Sequence, residues 1–285
     1  MNNTQDTQDW TYIIKPVSGW FDIHLSALWR YRDLVFLFVR RDFVAVYKQT
    51  ILGPLWYLLQ PLVTTLVFTI IFGKVAKLPT DGLPPMIFYM SGIVTWRYFA
   101  DCLTKTSDTF VGNAGIFGKV WFPRLTVPIS VVISNLVAFG IQFLLFLGFW
   151  VFYIMKGTSI SPKPLILLLP LLIIQMAVLG LGLGIIVSSL TTKYRDLVQL
   201  VGFGVQLWMY ATPIVYPTSL VPEKWQWLIA INPMTPIIEA FRYAFLGSGT
   251  IHFWQMGLSL GTTIIILFIG IILFSRIEKS FMDTV

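Results

Sequence analysis

The chain alternates between long, uncharged, apolar windows and short segments that carry most of its charges. After Lys48 the next charged residue is Lys74, so the first uncharged window begins where a basic segment ends. Because about 20 apolar residues are enough to cross the core of a bilayer, such windows predict transmembrane helices. The pattern predicts six of them, at residues 50–72, 85–111, 126–154, 165–191, 197–215 and 256–274.

A basic, amphipathic segment at residues 21–48 precedes the first window. Its apolar residues recur at steps of three and four, which places them on one face of a helix. Arg30, Arg40, Arg41 and Lys48 fall on or near the other face. We therefore predict a helix that lies in the plane of the lipid headgroups. An ordinary solvated helix is the alternative.

Residues 222–246, between the fifth and sixth windows, depart from this pattern. The uncharged stretch from Lys224 to Glu239 would be roughly 21 Å long as a helix, too short for a bilayer core of about 30 Å. We predict re-entrant helices that dip into the outer leaflet and return, covered by protein. Glu239 and Arg242 are three residues apart and are predicted to pair there.

Charge placement predicts the orientation of the spans. Loops on the side of the two termini carry about twice as many lysines and arginines as the opposite loops, which favours cytoplasmic termini. The predicted organisation is a flexible arm at 1–20, an interface helix at 21–48, a six-span domain at 49–276 and a cytoplasmic tail at 277–285.

Composition supports an all-α integral membrane protein. The chain is 56% hydrophobic and 12% charged, with a mean hydropathy of +0.77, whereas soluble domains carry about 25% charged residues. The net charge of +7 lies between apolar runs, where anionic lipid headgroups would meet it. We therefore expect membrane lipids as partners, and no nucleic acid.

Signatures of enzyme, metal and nucleotide sites are missing from the sequence. Cys102 is the only cysteine, so a cysteine-based metal site is excluded. Lys74 and Lys119 each follow a glycine, but valine comes next in both cases, and neither forms a phosphate-binding loop. We expect no catalytic residue, no metal site and no cofactor bound by this chain.

Four charges interrupt the second window and would lie along one helix face: Arg97, Asp101, Lys105 and Asp108. Charges at membrane depth usually face the interior of a helix bundle or a water-filled path. The alternative is that the helix leaves the bilayer near Asp101.

Aromatic residues make up 16% of the chain and cluster near the ends of the windows. Many fit an interfacial belt. Some would instead line a conduit, because aromatic faces stack on the C–H surfaces of sugars without requiring one register. The candidates for such a path are Trp56, Tyr57, Phe68, Phe72, Phe88, Tyr89, Trp96, Tyr98, Phe99 and Tyr210.

The loop at residues 113–128 carries large apolar residues, Val120, Trp121 and Phe122, where a wet loop is expected. This composition indicates a docking surface for a cytoplasmic partner. An amphipathic turn that rests on lipid is the alternative.

Four segments, in order along the chain, resemble type-2 ABC exporter permeases that export polysaccharides such as O-antigen, capsule and teichoic acid. The matching residues are Tyr47-Lys48, Leu52-Gly53, Leu55-Trp56 and Pro61; Lys119-Val120-Trp121-Phe122-Pro123-Arg124 with Pro128; Tyr194-Arg195-Asp196-Leu197; and Asn232-Pro233-Met234-Thr235-Pro236 with Glu239 and Arg242.

The resemblance implies a homodimer in a bacterial inner membrane, joined to two ATP-binding cassette subunits that bind ATP and magnesium. The implied cargo is a lipid-linked glycan, moved from the cytoplasm to the outer face. The residues implied to receive the ATPase movement are Gly115, Phe117, Lys119, Trp121, Phe122, Pro123 and Arg124.

Arginine side chains form forked hydrogen bonds with phosphate. If the resemblance holds, Arg30, Arg40, Arg41 and Lys48 would hold the diphosphate of the lipid carrier. Three rival functions remain at this point: the same fold exporting a drug or lipid, a secondary carrier driven by an ion gradient, and a membrane-embedded scaffold with no cargo.

Overall fold

A computed structural model describes residues 25–48, 52–120, 122–192, 194 and 196–280, and these ranges contain helices but no β-strand. The predicted all-α fold is thereby confirmed for the described residues. The helices are α1 Leu25–Arg30, α2 Arg32–Lys48, α3 Leu55–Phe68, α4 Pro85–Ser107, α5 Thr109–Gly112, α6 Ala114–Phe117, α7 Thr126–Met155, α8 Leu169–Thr191, α9 Leu197–Ala211, α10 Glu223–Ile231, α11 Met234–Leu246 and α12 Phe253–Ser280.

Four helical stretches are long and apolar enough to cross a membrane. They are Leu55–Val75, in which α3 continues as a π-helix, Thr126–Met155, Pro164–Thr191, in which a 3-10 turn leads into α8, and Phe253–Glu278. Helix α4 has 23 residues but carries charges, and α9 has only 15 residues. The count of six spans therefore stays a prediction.

Two of the predicted helices are divided in the structure. Residues 1–24, which hold the predicted arm at 1–20 and the start of the predicted helix at 21–48, lie outside the described residues. From residue 25 to residue 48 the predicted helix is divided into α1 and α2, which are separated at Tyr31. The second predicted window, 85–111, is α4 followed by the short α5, with the backbone leaving helical geometry at Asp108. The re-entrant segment consists of α10 and α11, joined at Asn232-Pro233, where the proline cannot continue a helix from α10.

The centre of the bundle is α8, which packs against α4 on one side and α12 on the other. Small residues allow this close approach. A Cβ atom added at Gly184 would lie 2.5 Å from the Thr106 Cβ of α4, and one added at Gly182 would lie 3.0 Å from the Leu267 Cα of α12. Small residues of this kind are how helices pack closely within membranes.

Almost every residue of α11 is buried, and its aromatic rings pack against α7. Phe241 lies 5.2 Å from Phe146, and Phe245 lies 5.5 Å from the same ring. The indole N–H of Trp150 donates a hydrogen bond to the main-chain oxygen of Phe245 at 2.7 Å. Helix α11 is therefore part of the core, and its cover of protein is compatible with the predicted re-entrant segment.

The bundle has two different ends. At one end, which we call the coupling face, α2, α5, α6 and residues 118–125 meet the ends of α8 and α12. At the other end, the opposite face, the loop before α4 meets the turn before α10, where the Ser219 hydroxyl donates to an Asp81 carboxylate oxygen at 2.9 Å.

Candidate coupling and transport site

Five phenylalanine rings connect α2, α5, α6, the loop that follows α6 and α12 at the coupling face. Phe38 of α2 lies 5.8 Å from Phe122, which in turn lies 5.7 Å from Phe117. Phe110 contacts Phe117 at 6.0 Å and stacks on Phe274 of α12 at 4.6 Å. All five rings are buried. This set, the coupling cluster, connects α2, the predicted coupling segment and the last helix.

The predicted docking surface is only partly exposed. Phe117 and Phe122 face inward in the coupling cluster, so their rings have no surface to offer a partner. Lys119 and Val120 are exposed, and Val120 keeps 60% of its surface. Trp121 lies outside the described residues. The docking prediction is thus narrowed to the exposed tip of the loop.

Two further residues of the predicted segment flank this tip. Gly115 is exposed, and a side chain added there would meet open space. Pro123 is half-buried and directly precedes the buried Arg124.

Arg124 connects the coupling segment to the end of α12. Its guanidinium donates to the main-chain oxygen of Glu278 at 2.8 Å, and its main-chain N–H donates to the Glu278 carboxylate at 3.2 Å. The guanidinium also lies over the ring of Phe117, 5.4 Å from its centroid. Burial lowers the pKa of Arg124, while the Glu278 carboxylate acts in the opposite direction.

A cavity of about 480 Å³ lies between α2, α3, α4 and α7 near the coupling face. Its polar lining consists of Arg40, Asp42, Tyr57, Lys105, Ser134 and Asn135, and the other walls are apolar. The Lys105 ammonium donates to the Asn135 side-chain oxygen at 2.7 Å, which holds that charge beside the cavity. The cavity thus combines two positive charges and one carboxylate with a hydrocarbon wall.

The other predicted basic residues of the interface helix lie on its surface. Arg41 pairs with Asp42 at 2.9 Å and lies over the ring of Phe38 at 4.7 Å. Arg30 and Lys48 are exposed. Of the four predicted phosphate-binding residues, only Arg40 lines the cavity.

The charged stripe of α4 meets polar groups of its neighbours. Arg97 and Asp101 lie 3.7 Å apart, and Arg97 also donates a hydrogen bond to the side chain of Gln60 in α3. Both members of the ion pair are about one quarter exposed, with side-chain values of 28% and 26%. The first half of the stripe therefore lies along α3 and is only partly covered, whereas Lys105 bonds to Asn135 of α7 and Asp108 lies past the end of α4.

The predicted pair of Glu239 and Arg242 is formed, with 3.6 Å between Oε1 and Nη1, and both side chains are buried. Arg242 also donates to the main-chain oxygens of Pro213 at 2.5 Å and Ile214 at 2.8 Å. Its guanidinium lies over the ring of Phe88, 3.8 Å from the centroid. One arginine thus connects α4, α11 and the end of the segment that follows α9.

The ten aromatic residues predicted for a sugar path divide into two groups. Six are buried within the subunit and belong to its core: Phe68, Phe88, Tyr89, Trp96, Tyr98 and Phe99. A ring packed on all sides has no surface for a polymer, so the structure narrows the predicted path to the remaining four. These are Trp56 and Tyr210, which are exposed, and Tyr57 and Phe72, which are half-buried.

Several residues of the site were not singled out from the sequence. Gln60 and Asn135 are polar residues inside apolar windows, and that position was a signal that could have identified them. Phe38 and Phe274 look like ordinary apolar residues of their helices. Glu278 lies in a charged tail, and no local pattern connects it with Arg124.

Comparison with known families agrees with this geometry. The sequence profile of the ABC-2 type transporter family matches residues 33–246, from α2 to the end of α11. The chain belongs to the ABC-2 type transporter family. This ABC-2 permease is therefore a multi-pass membrane protein with a transport role, and its family implies an ATP-binding partner subunit.

The ABC-2 permease is also similar to characterised proteins along most of its length. The O-antigen export system permease protein RfbA of Klebsiella pneumoniae is 29% identical over 251 residues, 88% of this chain and 94% of that protein. RfbA of Myxococcus xanthus is 27% identical, over 78% of this chain and 83% of that protein. The polysialic acid transport protein KpsM of Escherichia coli is 22% identical, over 82% and 89%.

Proposed function

We propose that the chain is the membrane-spanning subunit of an ABC transporter that exports a lipid-linked polysaccharide of the O-antigen, capsule or teichoic-acid type. Export would cross the inner membrane of a bacterium and be driven by ATP hydrolysis in a separate subunit. The observation that carries the proposal is the similarity to O-antigen export permeases over nearly their whole length.

The proposed assembly is a homodimer with two ATP-binding cassette subunits and with both termini of each permease in the cytoplasm. ATP and magnesium bind the cassette subunits, and this chain binds no cofactor. The exposed apolar surface of the stretch Leu55–Val75 is compatible with the dimer, because only 17% of the residues in its apolar window are buried within the subunit. That surface requires lipid or a second subunit.

The coupling cluster provides a route for movement from the partner. A cassette subunit that pushes on the exposed Lys119 and Val120 would displace Phe122, which contacts Phe38 of α2 at 5.8 Å. The same displacement reaches α12 through Arg124 and Glu278. Close-packed rings transmit such a displacement because the packed interior is not readily compressed. Movement of α2 would then open the side of the subunit formed by α3.

The cavity near the coupling face suits the lipid carrier of the cargo. A diphosphate would contact Arg40 and Lys105, while the hydrocarbon chain would lie against Val39 and Phe43. Arg41, which is paired with Asp42, would support Arg40 in attracting the anion to the membrane surface.

The sugar chain would contact the aromatic residues that keep exposed surface, Trp56, Tyr57, Phe72 and Tyr210. These contacts are broad and individually weak, which a sliding polymer requires. Arg97, Asp101 and Gln60 supply partly exposed polar groups on the same side of the subunit. Sugar hydroxyl groups are able to exchange hydrogen bonds with such groups as they pass.

Deletion of the chain tests this function. We expect surface polysaccharide to disappear while lipid-linked glycan of normal structure accumulates in the cytoplasm, and a plasmid copy to restore export. Proteoliposomes with the partner ATPase should translocate the glycan only with hydrolysable ATP. Transport driven by an ion gradient without the ATPase would instead support a secondary carrier. Unchanged surface glycan with a new sensitivity to a drug or lipid would support export of a drug or lipid by the same fold.

A further inference from the structure

A second cavity, of about 360 Å³, lies at the opposite face of the subunit. It is enclosed by the loop before α4, the turn before α10, α10 and α11, and the start of α12. The Ser219–Asp81 hydrogen bond closes one side of it. None of the residues assigned above to coupling or to the sugar path lines this cavity.

The size and lining of the cavity indicate a small hydrophilic ligand. One water molecule occupies about 30 Å³, so the space is far larger than a single ion or water requires. Ligand pockets are usually lined mainly by apolar side chains, but ten of the fourteen residues that line this cavity are polar. The polar lining residues are Asp81, Thr218, Ser219, Gln226, Thr235, Glu239, Ser248, Thr250, His252 and Gln255.

Glu239 provides a fixed acceptor at the wall of this cavity. Its Oε1 is 3.6 Å from Arg242, which compensates its charge from the core side. Its Oε2 faces Gly249, and a Cβ atom at position 249 would lie only 2.6 Å from that oxygen. Glycine at 249, with φ of +102°, therefore allows the main chain to pack closely against the carboxylate, which holds it in place from that side.

Thr235 provides an unpartnered group in the same lining. It is 2% exposed, and its hydroxyl makes no hydrogen bond to any other described residue. A buried hydroxyl without a partner destabilises the folded protein, so a ligand that bonds it would recover part of that cost. Thr235 lies one turn before Glu239 on α11, which places both groups on the same helix face.

We propose that this cavity binds a neutral, hydroxyl-rich saccharide unit. Hydroxyl and amide groups both donate and accept, and the carboxylates accept from adjacent sugar hydroxyls, so the lining satisfies a polyol without a charged partner. An acidic sugar is excluded because the described lining contains two carboxylates and neither lysine nor arginine. Arg242 does not line the cavity, because it lies on the core side of Glu239 and donates to the main-chain oxygens of Pro213 and Ile214.

The inference rests on the proposed function only for the source of the sugar, which would be the exported glycan after it reaches the outer face. Binding at the opposite face would retain the leading end of the polymer and oppose its return. The site should therefore be specific for the sugar class and independent of ATP.

Saturation-transfer NMR on the permease–ATPase complex in nanodiscs tests the site, with methyl α-D-mannopyranoside, methyl α-D-glucopyranoside and D-galacturonic acid as probes. We expect at least one neutral glycoside to bind and galacturonic acid to give no signal. Thr235→Val and Asp81→Asn should each weaken binding about three- to tenfold, as expected for one lost hydrogen bond. Glu223→Gln, on the exposed start of α10 and outside the lining, should bind as the wild type does.

The proposal is overturned if neither neutral glycoside binds, if galacturonic acid binds equally well, or if binding persists unchanged in the variants. Should Thr235→Val fail to fold, Gln226→Leu on the exposed helix α10 makes the same test. The outcome is separable from the proposed function: binding with normal surface glycan in the deletion strain would retain this site and reject export. Trapped glycan in the deletion strain, with no glycoside binding to the complex, would retain the export function and reject this site.

Discussion

The guanidinium of Arg124 donates to the main-chain oxygen of Glu278 at 2.8 Å, and the Glu278 carboxylate accepts from the Arg124 main-chain N–H at 3.2 Å. This reciprocal pair joins the loop between α6 and α7 to the end of α12. Because the two residues lie on different elements, a movement of one element relative to the other would change the lengths of these hydrogen bonds.

Replacement of Arg124 by alanine should uncouple hydrolysis from export. Hydrogen bonds to a charged group contribute about 1.5–3 kcal/mol, so we expect export to fall about tenfold or more. ATP hydrolysis by the complex should continue. Arg124→Lys should be intermediate, because an ammonium cannot reproduce the planar fork. The exposed Lys224→Ala, at the opposite face, is the control. Equal losses of hydrolysis and export in Arg124→Ala would contradict a coupling role.

Truncation of Phe38 should weaken the contact between α2 and the coupling segment. Phe38→Ala removes a buried ring and should destabilise the subunit by about 3–5 kcal/mol, whereas the adjacent Leu37→Ala removes an exposed side chain and should change little. Thermal unfolding of the purified complex in detergent measures both. Similar melting temperatures for the two variants would mean that the coupling cluster does not contribute to the stability of the subunit.

Alanine at both Arg40 and Arg41 should abolish export while leaving insertion and dimerisation intact. Single variants should separate the two roles: Arg40 lines the cavity, whereas Arg41 lies over Phe38. We therefore expect Arg40→Ala to reduce export more than Arg41→Ala does. Surface glycan and membrane content are the measurements, with Arg32→Ala on the same helix as control. Normal export by the double variant would leave α2 only an anchoring role.

Replacing Arg242 should destabilise the subunit more than replacing Glu239, its partner in the buried ion pair at the opposite face. Arg242→Met leaves Glu239 as an uncompensated buried charge and should cost about 3–5 kcal/mol. Glu239→Gln should cost less, because Arg242 keeps the main-chain oxygens of Pro213 and Ile214 as acceptors. The variants can be ranked by expression and by the melting temperature of the complex, with Lys224→Met as control. The reverse ranking would mean that Glu239, not Arg242, organises this region.

Gly184 should tolerate no larger side chain, because a Cβ there already meets Thr106 of α4 at 2.5 Å. Gly184→Leu should separate α4 from α8 and lower stability by about 1–3 kcal/mol or more. Gly140→Leu in α7 meets nothing within 4 Å and carries the same intrinsic change in helix propensity, which makes it the matched control. Equal behaviour of the two variants in size-exclusion chromatography would contradict the close α4–α8 contact.

Much of the fold follows from local patterns. The uncharged windows predict α7, α8 and α12 because the length of a membrane-spanning helix and its hydrogen-bonding needs are local properties. The same reasoning predicts the amphipathic segment before Lys48. Local patterns did not predict the break between α4 and α5 at Asp108, because it depends on a contact with α8. There the main-chain N–H of Phe110 in α5 donates to the Ser188 hydroxyl at 3.3 Å.

The roles of the aromatic residues were decided by tertiary structure. Phe99 and Tyr210 are both aromatic residues within predicted spans, and the sequence assigned both to the sugar path. Phe99 is buried against Trp208 at 5.3 Å, whereas Tyr210 remains 45% exposed. Which face of an apolar membrane helix is covered depends on its neighbours, because both faces are apolar when lipid is the alternative partner.

The sequence alone determined an all-α membrane protein with a basic amphipathic segment before the first span and a pair at Glu239 and Arg242, since these depend on local spacing and hydropathy. The resemblance to ABC exporter permeases rested instead on four matching motifs. Tertiary structure alone decided that Arg124 meets Glu278, that Phe122 points inward to Phe38, and that a polar cavity forms beside Thr235. These relationships depend on how distant helices cross, and pairwise packing of that kind leaves no period in the sequence.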